Sequence, residues 1–268
     1  MDTQLHGQRC LITGGNSGIG LGIAKTLARE GVRLIIASRD DYPQALAELG
    51  EMGAEVELIQ VDLRTEAAVV ETVKRAIRRW DGLDLYVNNA AIARHEPVTR
   101  VTAPAFHEVM DINLGACVWA CREISRHMLP RRAGSILIIG STVRICPAYG
   151  EAVYRISKMG LKMYMETLAV EMAPFGIRVN MITPGYFSTR LTAGMSARRQ
   201  ALQLSEIPLR RPGSPLECGP AAAFLLSNHL SSYITGADLL VDGGLALRPL
   251  KMIEDEEILA LNQSGLEK

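Results

Sequence analysis

A tyrosine and a lysine four residues apart are the side chains in this chain best suited to chemistry. Tyr154 and Lys158 stand in a segment whose apolar spacing predicts a helix, so they lie on one helix face. A free tyrosine has a pKa of about 10 and is a poor proton shuttle at neutral pH. A neighbouring ammonium favours the phenolate and lowers that pKa, which brings the phenol towards acid/base catalysis.

Ser141 could complete such a centre. It follows a strand predicted at 135–139, at the carboxyl edge where doubly wound sheets bind ligands. Its hydroxyl and the Tyr154 phenol could converge on one substrate oxygen. A tyrosine and lysine at this spacing also occur together by chance, so the assignment depends on the rest of the sequence.

A glycine-rich turn stands between the first predicted strand and the first predicted helix. Gly14, Gly18 and Gly20 have the spacing GxxxGxG. Glycines let the backbone turn sharply and let a pyrophosphate approach the helix N-terminus, where free N–H groups favour anions. An ordinary tight turn is the alternative, but the position inside a βαβ unit favours dinucleotide binding. The turn lacks the Gly-Lys-Ser/Thr of a Walker A loop.

The end of the second predicted strand bears on which dinucleotide binds. Ser38 and Arg39 stand where an acidic residue would hold the ribose diol of NAD. A hydroxyl beside a guanidinium suits a 2′-phosphate, so NADP(H) is the preferred cofactor and NAD(H) a possible one. Asp40 and Asp41 could pair with Arg39 instead, and a solvated arginine is the alternative interpretation.

Predicted strands and helices alternate along the chain. The strands are expected at 9–13, 33–38, 55–61, 83–87, 135–139, 177–182 and 238–241. The helices are expected at 18–30, 43–52, 66–80, 104–129, 151–173 and 215–227. Almost wholly apolar strands indicate a parallel sheet covered on both faces. The fold class is therefore α/β, a single doubly wound (Rossmann) domain over 1–247 with about seven strands. A polar tail over 248–268 is expected to be a surface helix or a frayed end.

Composition excludes several other classes of protein. The 268 residues include 29 Lys plus Arg and 29 Asp plus Glu, so there is no overall basic footprint for nucleic acid. The longest apolar runs are too short for a membrane-spanning helix, and the N-terminus does not read as a secretory signal, so a cytoplasmic location is expected. The five cysteines and five histidines are scattered, which predicts buried thiols and no metal site.

Four further segments join these features in a fixed order. They are Asn88-Asn-Ala-Ala91, Asp111-Ile-Asn113, Pro184-Gly-Tyr-Phe-Ser-Thr189 and Val241-Asp-Gly-Gly244. With them, the sequence resembles the classical short-chain dehydrogenase/reductase family from about Gln8 to Gly244. It is similar to 3-oxoacyl carrier-protein reductases and gluconate 5-dehydrogenases. Ala91 stands where the family usually has glycine, which is a mild departure.

The resemblance implies roles for a catalytic tetrad. Tyr154 would be the general acid in carbonyl reduction and the general base in alcohol oxidation, while Ser141 would hold the substrate oxygen. Lys158 would bond the nicotinamide ribose and tune Tyr154, and Asn113 would position a water. Hydride would pass directly between nicotinamide and substrate carbon without a metal.

The resemblance also implies a set of cofactor-binding residues along the carboxyl edge of the sheet. These are Gly14, Asn16, Ser17, Gly18, Ile19, Gly20, Ser38, Arg39, Asp62, Leu63, Asn89, Ala90, Ala91, Tyr154, Lys158, Pro184, Gly185, Phe187 and Thr189. Within this set, Asp62 would contact the adenine.

The substrate side is less defined. Positions expected to face the substrate are Arg94, His95, Val143, Arg144, Ile145, Tyr149 and an apolar lid over 187–199 that includes Leu191 and Met195. Arg94 and Arg144 could bind a carboxylate or phosphate, or could simply be exposed. Oxoacyl thioesters and sugar acids therefore both remain open as substrates.

The resemblance further implies that the helices at 104–129 and 151–173 pair across a homodimer, and that the last strand completes a homotetramer. Val118, Trp119, Met163 and Met165 are the apolar residues expected at these contacts.

The function predicted is an NADP(H)-dependent oxidoreductase acting on a carbonyl or secondary alcohol, with a small molecule as its partner. Two alternatives remain: a nucleotide-sensing protein without turnover on the same fold, and an enzyme that uses the cofactor for epimerisation or dehydration.

Overall fold

One parallel sheet organises the chain. The computed structural model describes residues 2–190 and 192–247. Its strands are β1 (Arg9–Thr13), β2 (Arg33–Ser38), β3 (Val56–Gln60), β4 (Leu85–Asn88), β5 (Gly134–Ile139), β6 (Ile177–Pro184) and β7 (Asp238–Val241). The helices are α1 (Gly18–Arg29), α2 (Pro43–Glu51), α3 (Glu66–Arg79), α4 (Ala103–Met110), α5 (Ala116–Met128), α6 (Ala152–Met172), α7 (Ala197–Ser205), α8 (Cys218–Leu226) and α9 (Asn228–Ser231).

The strand order creates the place where a ligand can bind. The order is β3-β2-β1-β4-β5-β6-β7, and every neighbouring pair is parallel. The chain runs outward from β1 to β3 and then crosses back to β4. The connections after β1 and β4 therefore leave the sheet in opposite directions, which opens a cleft at their carboxyl ends. The predicted doubly wound α/β fold is confirmed.

Apolar side chains cover both faces of the sheet. On one face, Ile35 and Tyr86 pack with residues of α3, α5 and α6. On the other face, Ile12 and Ile36 pack with residues of α1, α2 and α8. Four of the five cysteines are buried members of the two cores, as the sequence predicted; they are Cys10, Cys117, Cys121 and Cys218. Cys146, in the loop after β5, is half-buried instead.

The long helix predicted at 104–129 is wrong in one respect. One turn of π-helix at 111–115 separates α4 from α5. The extra residue of this turn directs Asn113 into the interior, where it is 1% exposed. Single π-turns inside helices often occur at functional sites, because they change where one side chain points. Apolar spacing alone does not reveal such a turn.

Two other sequence expectations differ from the structure. Helix α7 was not predicted, because the sequence around it is punctuated by turn residues and its exposed side chains carry little apolar periodicity. The predicted tail over 248–268 and the lid residue Leu191 lie outside the described residues. Within the part of the chain that the structure describes, no helix has both the length and the hydropathy needed to cross a bilayer.

A buried arginine on β6 links the sheet to α8 and α9. The Arg178 side chain on β6 is 6% exposed and donates to the Leu225 and Leu226 carbonyls at the end of α8, at 2.7 and 3.0 Å. It also donates to Asn228 Oδ1 and Ser231 Oγ, at 2.8 and 3.0 Å. Burial lowers the pKa of this guanidinium to about 10. Its positive charge is favourable at the negative end of a helix dipole.

We expect Arg178→Met to lower the free energy of unfolding by about 3 kcal/mol, because several buried carbonyl and hydroxyl groups lose their donor at once. Urea denaturation followed by circular dichroism measures this loss. Arg78→Met is the matched control, since Arg78 is exposed and pairs with exposed Glu71, and it should cost less than about 1 kcal/mol. Equal losses in the two variants would contradict the structural role of Arg178.

Candidate active site

A cavity follows the carboxyl ends of the strands. It has a volume of about 1080 Å³ and is lined from the glycine-rich turn at one end to α7 at the other. Every residue predicted to contact the cofactor lines it except Gly20, and so do Ser141, Tyr154 and Lys158. Residues that line it without having been predicted include Tyr42, Ile92, Glu151, Gln203 and Glu206. Their positions depend on distant parts of the chain, so no local signal marks them.

The glycine-rich turn is shaped by its contacts with the segment that follows β4. Asn89 Nδ2 donates to the Thr13 and Gly14 carbonyls at 3.0 Å, and Thr13 Oγ1 accepts from the Asn89 and Ala90 N–H groups at 3.0 and 3.1 Å. A Cβ on Gly20 would overlap the Gly14 carbonyl oxygen and Asn89 Nδ2. Gly20 therefore allows α1 to start directly against the turn, which explains why it does not itself line the cavity.

The start of α1 fits a pyrophosphate. Ser17 precedes the helix in an extended conformation, and its side chain does not cap the helix. The first N–H groups of α1 are thus left for another acceptor. Gly18 has φ of +51°, and a Cβ on it would lie 3.5 Å from Thr189 on the other wall of the cavity. These residues suit the pyrophosphate of a dinucleotide, with no side chain in the way.

The end of the cavity at β2 and β3, where the sequence predicts the adenosine, carries several paired charges. Ser38 ends β2, and Arg39 Nε donates to Asp40 Oδ1 at 3.1 Å. The Arg64 guanidinium beside Asp62 holds the pKa of that carboxyl below its usual range. Position 38 carries a hydroxyl rather than a carboxylate, so the end of β2 has a neutral hydrogen-bonding group next to the Arg39 guanidinium.

The catalytic candidates Ser141, Tyr154 and Lys158 line the cavity together, near the carboxyl end of β5. Tyr154 and Lys158 lie on the buried face of α6, and Lys158 Nζ is 5.7 Å from the centre of the Tyr154 ring. Lys158 Nζ donates to the Ile139 carbonyl at the end of β5, at 3.0 Å. Ser141 lies in the loop that follows β5, and its Oγ accepts from the Val143 N–H at 3.3 Å.

Asn113 lies behind this pair instead of lining the cavity. Its amide Nδ2 donates to the Ile92 carbonyl at 2.9 Å and to Ser157 Oγ at 3.0 Å, while its Oδ1 accepts from the Ile92 N–H at 2.8 Å. Ser157 Oγ in turn donates to the Tyr154 carbonyl at 2.7 Å. Asn113 thus braces the turn of α6 that carries Tyr154 and Lys158 against the segment after β4.

Burial controls the protonation of both catalytic candidates. It raises the pKa of Tyr154 to about 12; the nearby Ser141 hydroxyl opposes the rise and the Glu151 carboxylate adds to it. Burial lowers the pKa of Lys158 to about 8. The direction for Tyr154 is opposite to the lowering expected from the sequence, because the loss of water around the buried phenol is the largest effect on its pKa. The phenol therefore holds its proton at neutral pH and is ready to donate it.

Charged side chains also line the part of the cavity next to α7. Glu151, just before α6, lies 3.4 Å from His95 Nδ1 and 3.7 Å from Arg199 Nη2, measured from its Oε1. The three residues belong to the segment after β4, the start of α6, and α7. Tyr186 and Met195 add apolar surface beside them. This end of the cavity therefore offers both polar and apolar contacts.

Four of the expected substrate-facing residues do not line the cavity. Arg94 pairs with Glu108, and Arg144 pairs with Asp238 at the start of β7, so neither guanidinium is presented to a substrate. Ile145 is also outside the lining, and Tyr149 is 82% exposed. The Arg144 side chain is largely buried and joins the loop after Ser141 to the sheet, where sequence reasoning expected a ligand contact.

Comparison with known proteins agrees with this arrangement. The family model described as enoyl-(acyl carrier protein) reductase matches residues 14–246. A 3-oxoacyl-[acyl-carrier-protein] reductase of Chlamydia pneumoniae is 35% identical over 247 residues, which are 91% of this chain and 99% of that protein. This chain belongs to the short-chain dehydrogenase/reductase family. It is an NAD(P)-dependent oxidoreductase.

Solved structures of short-chain dehydrogenases/reductases superpose closely on the chain. One from Agrobacterium tumefaciens, provisionally described as a 2-deoxy-D-gluconate 3-dehydrogenase with bound NADP, has a TM-score of 0.86 and 31% identity. It covers 92% of this chain and 99% of its own. An NAD⁺-bound xylitol dehydrogenase has a TM-score of 0.83 and 29% identity, covering 90% and 100%. Both kinds of nicotinamide dinucleotide are therefore bound by proteins of this shape.

Within residues 2–190 and 192–247, no group of three or more His, Cys, Asp or Glu side chains is placed to hold a metal ion.

We expect Gly20→Ala to weaken NADPH binding at least tenfold, because its Cβ would push the glycine-rich turn away from α1. Fluorescence titration with NADPH measures the affinity, and thermal unfolding shows whether the fold survives. Gly50→Ala is the control: it lies on α2 with nothing within 4 Å of the added Cβ, so binding should not change. Unchanged binding in Gly20→Ala would show that the turn does not set the cofactor site.

Proposed function

We propose that the protein transfers a hydride between NADP(H) and a carbonyl or secondary alcohol substrate, with Tyr154 as general acid/base. The observation that supports this most is the position of one buried phenol beside Ser141 and Lys158, in the same cavity as the dinucleotide turn. A nucleotide sensor would have no use for a buried ammonium, whose desolvation costs free energy, next to that phenol. Residues 1–247 would act as one dinucleotide-binding and catalytic unit.

Each residue of the catalytic centre would have its own role in the reaction. The nicotinamide, when bound, supplies or accepts the hydride. The Ser141 hydroxyl would hold the substrate oxygen, and Tyr154 would give its proton to that oxygen during reduction and take it back during oxidation. Lys158 would bond the nicotinamide ribose from its place beside the Ile139 carbonyl. Asn113 would keep this turn of α6 in position. As the family resemblance implies, it would also position a water.

NADP(H) is proposed as the preferred cofactor because of the end of β2. Arg39 can make charge-assisted hydrogen bonds to a 2′-phosphate, and Ser38 can add a further one. NAD(H) remains a possible cofactor, since neither residue blocks an unphosphorylated ribose. The NADP-bound relative from Agrobacterium tumefaciens supports the preference, and the NAD⁺-bound xylitol dehydrogenase supports the alternative.

The substrate would be a small molecule, and two classes fit the names of the relatives. The Chlamydia pneumoniae relative is named for 3-oxoacyl thioesters, and the Agrobacterium tumefaciens relative for a sugar acid. The mixed lining around Glu151 and Met195 is compatible with either class.

We further propose that the protein is a homodimer or homotetramer. An apolar stripe on α6 is exposed, formed by Ile156, Met159, Met163 and Val170. On the edge strand β7, Leu239 and Leu240 are 38% and 40% exposed. Met165, expected at a subunit contact, is instead fully buried in the core, and Val118 and Trp119 are half-buried. A monomeric mass in solution by light scattering would overturn this proposal.

Steady-state assays test the catalytic proposal. The panel contains a 3-oxoacyl thioester, a keto sugar acid, an aliphatic diketone and a bulky cyclic ketone, each with NADPH and with NADH. We expect turnover of one class, faster with NADPH. Tyr154→Phe should lower the rate by 10²–10⁴-fold, roughly the contribution of a positioned general acid, while the Kd for NADPH stays within about twofold.

Tyr164→Phe is the matched control, because Tyr164 lies on the same helix but outside the cavity lining and donates only weakly, at 3.4 Å, to the Val118 carbonyl. It should retain most of the activity. Full turnover in Tyr154→Phe would remove Tyr154 from the acid/base role. Tight NADPH binding with no turnover of any carbonyl would favour the nucleotide-sensing alternative.

A further inference from the structure

An arginine on the far wall of the cleft reaches across to the end of β2. Arg190, shortly after β6, places Nη2 3.2 Å from Asp40 Oδ2, and its guanidinium carbon lies 5.4 Å from the centre of the Tyr42 ring. Three strands separate β2 from β6 in the sheet, a distance of roughly 19 Å at the usual strand spacing. The segment 185–190 therefore spans the cavity above the carboxyl ends of β1, β4 and β5.

Asp40 is the point where two guanidinium groups meet. Arg39 Nε donates to Asp40 Oδ1 at 3.1 Å, and Arg39 Nη2 reaches Oδ2 at 3.5 Å, the same oxygen to which Arg190 donates. The Asp40 backbone is fixed to the glycine-rich turn, because its carbonyl accepts from buried Asn16 Nδ2 at 2.6 Å. The meeting point of the two arginines is thus held at a constant place relative to the dinucleotide turn.

The two ion pairs at Asp40 are weak enough to be exchanged. The side chains of Arg39 and Arg190 are 62% and 67% exposed, and that of Asp40 is 39% exposed. Ion pairs with such exposure contribute little to stability and are screened by salt. A phosphate carries up to two negative charges and three strong acceptor oxygens, so it can take both guanidinium groups from a single carboxylate.

We propose that Arg190 is a second determinant of NADP selection, and that the 2′-phosphate replaces the Asp40 carboxylate as the shared partner of Arg39 and Arg190. This inference rests on the proposed preference for NADP(H). In this arrangement the 2′-phosphate would also affect the shape of the cleft. Tyr186 and Phe187 of the same segment line the cavity, so the group that distinguishes NADP from NAD would hold one wall of the cleft closed.

Binding of nucleotide fragments tests the proposal without any substrate. Isothermal titration calorimetry is run with adenosine 2′,5′-bisphosphate, which carries the 2′-phosphate, and with 5′-AMP, which lacks it. We expect Arg190→Ala to weaken the bisphosphate at least tenfold and 5′-AMP less than twofold. Arg190→Lys, which keeps the charge but loses the planar fork, should weaken the bisphosphate to an intermediate extent.

Asp40→Asn supplies the converse test. Removing the competing carboxylate should tighten bisphosphate binding severalfold and leave 5′-AMP binding unchanged. Arg198→Ala is the control, since Arg198 is an exposed arginine eight positions after Arg190 in the sequence and does not line the cavity. It should bind both fragments like the wild type, and thermal unfolding of each variant shows that the fold is intact.

Three results would overturn the proposal, and they are distinguishable. Wild-type affinity for both fragments in Arg190→Ala would mean that Arg190 contacts neither. Equal losses for both fragments would assign Arg190 to the 5′-phosphate end. If the wild-type protein itself does not discriminate between the bisphosphate and 5′-AMP, the proposed preference for NADP(H) fails, and the role of Arg190 fails with it.

Discussion

The removal of water around Tyr154 and Lys158 is the constraint on which the rest of the site depends. Burial raises the pKa of the phenol and lowers that of the ammonium, so both groups tend towards their neutral forms. The Ile139 carbonyl gives the ammonium its hydrogen bond, and Ser141 stands beside the phenol. A general acid that keeps its proton until a substrate oxygen arrives suits carbonyl reduction.

The fold supplies this environment by joining distant segments at one edge. The carboxyl end of β5 provides both the Ile139 carbonyl and the loop to Ser141, while α6 presents Tyr154 and Lys158 one turn apart. The π-turn between α4 and α5 directs Asn113 behind them. Above these strand ends, the connections after β2 and β6 carry the charged side chains Arg39, Asp40 and Arg190.

The features that can be predicted from the sequence are those set by local residue patterns. Apolar strands, the glycine spacing around Gly18 and the pair Tyr154–Lys158 are readable because each is set by neighbouring residues, and the fold they imply is confirmed. The contacts of Arg144 with Asp238 and of Arg190 with Asp40 join residues about 90 and 150 positions apart, so no local pattern marks them. The direction of the Tyr154 pKa was missed for the same reason, since desolvation is a property of the whole fold.

The most direct test is an NMR titration of protein labelled with ¹³C at tyrosine Cζ, with the Tyr154 signal identified by its loss in Tyr154→Phe. No substrate or cofactor is needed. The structure predicts that this signal stays that of a protonated phenol up to pH 10.5, where solvent-exposed tyrosines are already more than half ionised, because its pKa is about 12. Ionisation of Tyr154 at or below pH 10 would contradict the account of a buried phenol that holds its proton for transfer.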